Sequence, residues 1–248
     1  FGRVFSMLAT DELEKAFLSW VKAIAEQVSG VVAIDGKTLR RSYDSSSNKK
    51  AIHMVSAWAA ENGMVLGQIK TEEKSNEITA IPALLELLEI NGCIVTIDAM
   101  GCQKEIAAKI VEKKADYVLA LKRNQEGLYK DVYELFQQAQ ESNFEGLQWD
   151  SYETEENQHG RHEIRRYWTI TGLENLERIR DWPSLRTVGM VESECTCKGE
   201  TSRDYRLYVS SLDERAEPFA KAVRSHWGIE NSLHWVLDMT FREDDSRI

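Results

Sequence analysis

Nothing in the 248 residues is apolar for long enough to span a membrane, and no secretory signal peptide is recognisable, so a cytoplasmic protein with no membrane partner is expected. Cysteine is scarce: of Cys93, Cys102, Cys195 and Cys197, only the last two stand close together, as C-x-C. Without a second pair at zinc-finger spacing, they argue against a structural zinc site and leave reduced thiols as the plain reading. Basic excess is also missing, since 31 Lys and Arg face 41 Asp and Glu for a formal charge of -10. A free-standing, non-specific DNA binder would be basic, although a carboxylate site that holds cations is itself acidic. No repeat or low-complexity tract appears, and 42% hydrophobic content suffices for one large domain or a core plus an insertion. The chain opens on Phe1 and ends at Ile248 without a terminating signal, so a fragment of a longer protein is expected.

What is present is a change of hydrophobic period. Asp11 to Val28 repeats at helical spacing through Leu13, Phe17, Leu18, Trp20, Val21 and Ile24. Val31 to Asp35 is a β-branched strand ended by Gly36, followed by a polar loop from Arg40 to Lys50. Ala51 to Ala60 and Met64 to Lys70 read as two further strands around an Asn62-Gly63 turn. Helices over Asn76–Glu89, Gln103–Lys114 and Gln125–Gln140 then alternate with strands over Cys93–Asp98 and Tyr117–Leu121. Gln148 to Ser211 turns β-like, and helical spacing returns from Arg215 to Met239. Three antiparallel strands followed by right-handed crossovers give an α/β fold: an RNase H-like mixed five-stranded sheet flanked by helices. The expected division is an N-terminal helical segment (1–29), the first part of the core (30–144), a β-rich insertion (145–212) and a core-closing helix (213–248).

Two apolar strands end alike, at Ile34-Asp35 and Ile97-Asp98, and ligands of open α/β sheets gather outside the carboxyl ends of strands. Each Asp alone could simply cap its strand; on neighbouring strands the pair reads as functional. At 100° per residue, Glu230 falls amid Val223, His226, Trp227, Leu233, His234 and Leu237, an apolar and histidine face on which a charge must be paired or metal-bound. A Glu bridged to His226 or His234 explains it equally well. Three carboxylates suit Mg²⁺ or Mn²⁺ in a two-metal nuclease, with ions about 4 Å apart. The His-x₃-Glu-x₃-His line invites zinc or iron instead, but would leave Asp35 and Asp98 unexplained.

Asp35-Gly36-Lys37, Ile97 to Gln103, Leu121-Lys122-Arg123-Asn124-Gln125, His159-Gly160-Arg161 and His226 to Trp235 stand in one order along the chain. In this the sequence resembles the DDE transposases of ISAs-type insertion sequences, the group that includes the H-repeat-associated proteins. The resemblance implies an RNase H-like fold with a β-rich insertion before the third acid. It also implies Asp35, Asp98 and Glu230 as catalytic acids and metal ligands, and DNA (transposon ends and target) as partner. A homo-oligomer on DNA is expected. Two features depart from the family: Arg123 stands where glycine is common, and segments expected before the core and after the third acid are absent. Lys122 and Arg123 could hold phosphates, and His226 or His234 could orient the scissile one. Arg161, Arg165 and Arg166, beside Tyr167 and Trp168, read either as a DNA-backbone strip or as a hairpin pairing with Glu153 and Glu155. Asn124 reads as a helix cap. Two rival readings stand: a folded but inactive remnant, and another RNase H-like nuclease such as a repair enzyme or resolvase.

Overall fold

A strand inside a sheet with helices on both faces must be apolar on both sides, and Val31–Ile34 and Ile94–Ile97 are nearly all buried. The computed structural model describes residues 2–5, 7–24, 28–43, 50–71, 76–158 and 160–246. Two helices, α1 (Gly2–Phe5) and α2 (Thr10–Ile24), precede the sheet. Strands β1 (Val31–Thr38), β2 (His53–Ala59) and β3 (Met64–Lys70) form an antiparallel meander. Helix α3 (Glu77–Leu87) leads to β4 (Ile94–Ile97), and α4 (Lys104–Glu112) leads to β5 (Asp116–Leu121). Both crossovers give parallel pairs: β4 lies between β1 and β5, with Ile34 opposite Ile97 and Ile97 opposite Leu119. The order β3-β2-β1-β4-β5 is the RNase H-like one.

After α5 (Glu126–Glu141), four long strands follow: β6 (Gln148–Gln158), β7 (Arg161–Thr171), β8 (Thr187–Cys197) and β9 (Glu200–Ser210). The expected β-rich insertion continues the core sheet. Strand β9 pairs antiparallel with β5, from Val118 opposite Ser210 to Leu121 opposite Leu207, giving nine strands in one sheet. Alternation divides the side chains between two helical layers. Val32, Ile34, Val95 and Ile97 pack with residues of α3, α4 and α5, whereas Val31 and Val118 pack with Phe219, Ala222 and Val223 of α6 (Ala216–Gly228). Gly189 on β8 makes room for this second layer, because a Cβ there would overlap the Phe219 ring.

Two expectations need correction. The first strand does not end at Gly36; it stays paired with β2 as far as Thr38 opposite His53. The closing helix is interrupted: α6 passes into a π-helical turn, Ile229–His234, before α7 (Trp235–Met239). A π turn bonds i to i+5, so the side chains beyond it leave the faces that a 3.6-residue repeat assigns. Helix α2 turns Leu13, Phe17 and Trp20 outward, while Val21 of the same stripe joins the main core. His159, residues 44–49 of the polar loop and Ala25 to Gln27 of the first expected helix lie outside the described residues.

Candidate active site

Strand register brings the first two acids together. Ile34 and Ile97 are the last partners of the parallel β1–β4 pair, so Asp35 and Asp98 come next on adjacent chains, at the carboxyl end of that pair. Beyond Ile97 the chain turns, and Asp98 Oδ1 accepts the amides of Met100 (3.0 Å) and Gly101 (3.4 Å). Asn124 does not cap its helix; its Nδ2 donates to Ala99 O at 2.6 Å, while Gln125 Nε2 donates to Cys102 O at 3.0 Å. The Lys122 to Gln125 segment thus holds the Asp98 turn from the next strand.

Asp35, Asp98 and Glu230 line one cleft, whose wall also includes Lys122, Arg206 and Trp227. Burial is the main cause that pushes the Asp35 carboxyl up to about 7. The Gly36 amide opposes this, and the charges of Asp98, Glu77 and Glu230 add to it. Glu230 differs from expectation: it is exposed toward the cleft, and Ile229 and Leu233 are the buried members of the π turn, packed on Ala33. The wider turn moves Glu230 off the core-facing stripe, so its charge needs no buried bridge to His226 or His234. Among the described residues, no three His, Cys, Asp or Glu side chains converge tightly enough to ligate one ion.

Two histidines flank these carboxylates. His226 Nδ1 lies 3.0 Å from Thr96 Oγ1, and burial depresses its basicity despite the Asp98 charge nearby. His234 Nδ1 lies 3.5 Å from Asp35 Oδ2, and its pKa falls to about 4 through burial and the Lys37 charge. At neutral pH His234 is therefore uncharged, and its contact with Asp35 is not an ion pair. The buried Nε2 of His234 has no hydrogen-bond partner among the described residues.

The expected DNA-contacting cations separate by face. Lys122 lies in the cleft and Arg123 is exposed just beyond it. Arg161 and Arg165 line an adjoining pocket on the same face, reached past Arg206, whose guanidinium sits 4.9 Å over the Trp227 ring. Arg165 already pairs with Glu163 at 2.5 Å and Glu156 at 3.5 Å. Arg166 points to the opposite face, toward Glu153 (2.8 Å), Glu192 (3.2 Å) and Glu194 (3.5 Å). For Arg166 the hairpin-pairing account therefore describes the contacts; Glu155 pairs instead with His162 at 2.7 Å.

Sequence reasoning missed two neighbours. Glu77, at the start of α3, contacts His53 Nε2 at 2.7 Å, and His53 Nδ1 contacts Thr38 Oγ1 at 2.7 Å. Gly36 lies close beneath this pair: a Cβ there would overlap the ends of the Glu77 and His53 side chains and push them aside.

A sheet in the RNase H-like order, with acids where its first and fourth strands cease to pair and another on a late helix, defines the class by its fold and site. Comparison with known proteins agrees, and the chain belongs to the family described as the Transposase DDE domain, matched over residues 26–248. It is 47% identical along its whole length to "Putative transposase YncI" of Escherichia coli O157:H7. To "H repeat-associated putative transposase YhhI" of Escherichia coli strain K12 it is 42% identical, again along its whole length. The chain spans 64% and 66% of these two relatives. Among solved structures, the piggyBac transposase synaptic complex with hairpin DNA matches at 12% identity and a TM-score of 0.44. That match covers 88% of this chain and 41% of the other. No helix among the described residues is long and apolar enough to cross a membrane.

Proposed function

We propose that this chain carries the catalytic region of a DNA transposase that hydrolyses phosphodiesters at element ends and transfers the freed 3′ end into target DNA. The observation that supports this most is the meeting of Asp35, Asp98 and Glu230, from three separate elements, in one cleft. The donor set fits a hard divalent cation: all three groups are carboxylates, and Asp35 is held near neutrality partly by the other two. Bound there, Mg²⁺ or Mn²⁺ would supply an activated water and stabilise the leaving oxygen. Asp35 would release its proton as the positive charge arrives. Asp98 lines the cleft with Oδ1 committed to its turn, so Oδ2 would be the oxygen offered to the cation. Lys122 meets the phosphate from the β5 side, and the neutral His226, fixed by Thr96, props the Asp98 side of the site. DNA is the partner, and a homo-oligomer on DNA is part of the same reading.

The lack of a tight ligand trio among the described residues favours a second reading, a folded but inactive relative. Replacing Asp98 with Asn separates the two. The volume hardly changes while one negative charge is lost, so the fold should survive and Mg²⁺-dependent cleavage by the full-length protein should disappear. Thermal melts with and without Mg²⁺ run beside the cleavage assay. Wild-type cleavage by Asp98→Asn ends the proposed mechanism, and a wild-type protein whose melting ignores Mg²⁺ supports the inactive relative.

A further inference from the structure

Lys37 follows Asp35 by two residues on β1 and so projects from the same face of the sheet. Its side chain is only 8% exposed, and three carboxylates from the end of the chain surround the ammonium: Asp238 at 2.7 Å, Glu243 at 3.2 Å and Asp244 at 3.4 Å. A cation facing three acids is already over-compensated and buried, which leaves it little to offer a DNA phosphate. Arg40 and Arg41 extend the same junction. The Arg40 amide donates to Asp244 Oδ1 at 3.1 Å, and Arg41 Nη1 lies 2.9 Å from Asp245.

The contacts advance in step along β1. Ala33 meets Ile229 and Leu233, Asp35 meets His234, and Lys37 meets Asp238. The acid Glu230 stands inside this run, on a π turn whose looser i to i+5 bonding can absorb a change of register. Apolar packing holds the far end of that turn only in part: Leu233 is buried and Leu237 packs against it, but α7 has no fully buried residue and exposes Trp235 and Met239. The polar tie between α7 and the sheet is the Lys37 ammonium.

We infer that Lys37 is a positioning residue: by pinning α7 to β1 it sets where Glu230 stands relative to Asp35. The inference rests on the reading of those two acids as metal ligands. Mn²⁺ calorimetry and salt-dependent DNA binding by the full-length protein test it. Lys37→Met, and separately Asp238→Asn, should weaken Mn²⁺ binding by about ten- to a hundredfold, as losses of outer-sphere supports do. Both should leave the salt dependence of DNA binding unchanged. The exchange Lys37→Asp with Asp238→Lys restores the tie with reversed polarity and should recover most of the Mn²⁺ affinity. Unchanged Mn²⁺ affinity in folded Lys37→Met overturns the inference. So does a fall of about one in the slope of DNA affinity against salt, which would assign Lys37 to a phosphate. If Lys37→Met does not fold, Asp238→Asn decides, since Glu243 and Asp244 still satisfy the ammonium. A wild-type protein that binds no Mn²⁺ overturns the metal-site reading and this inference together.

Discussion

Asp35 shows how strongly one residue reports its surroundings. An ordinary Asp titrates near 4, and burial with three nearby acids moves this one up to about 7. Between those values the folded chain keeps a proton that the unfolded chain has lost. Stability therefore falls as the pH rises through the window from about 4 to 7. In metal-free buffer Asp35→Asn should gain on wild type across that window, read as a difference in melting temperature that grows with pH. A flat or shrinking difference would contradict the assignment of Asp35 as the strained acid. Asp35 and Asp98 were legible in the sequence because each follows an apolar run, the one place where a carboxylate stands out. Glu77 was not legible. An acid in the first turn of a helix complements the helix dipole anywhere, so only the approach of Glu77 and His53 over Gly36 reveals it.

Elements were legible in proportion to how much of them is buried. Strands β1, β4 and β5 are apolar and were found within a few residues of their limits. The insertion was legible as a β-like stretch without its strand limits, because much of it is polar and little buried: from Glu200 to Arg206, β9 has no buried residue. With no apolar alternation, such a stretch looks like a loop. Glu230 was misplaced for a different reason, since assuming 100° per residue hides any π turn. The pairing of β9 with β5 joins residues about ninety positions apart, and no local pattern encodes it. Packing between elements offers a direct test. Gly189→Ala drives a methyl into the fully buried Phe219 ring, which overpacks the α6 layer. Urea denaturation should show a loss of about 1–3 kcal/mol with little change in slope. A loss under about 0.5 kcal/mol, within the range of an unremarkable surface change, would mean that α6 can lift from the sheet.

On the whole molecule, a net charge of -10 and the proposed DNA partner are reconciled by where the charges fall. Much of the arginine on the insertion is already paired with carboxylates, whereas Lys122 stands in the acid cleft. Lys122→Ala should therefore weaken DNA binding and lower its salt slope by about one, while Arg166→Ala should leave both unchanged. Equal effects from the two substitutions would place DNA on the opposite face. The unbroken nine-stranded sheet carries a last consequence. Measured across the strands, β7 lies four steps from β4, the strand that leads to Asp98, and each step is about 4.8 Å. The molecule thus has a built-in gauge of about 19 Å, a little over half of the roughly 34 Å in one duplex turn. Hydrogen-bonded ladders hold the gauge, with no linker to flex, so under the proposed function a duplex lying across the sheet would meet the acids at a spacing set by the sheet.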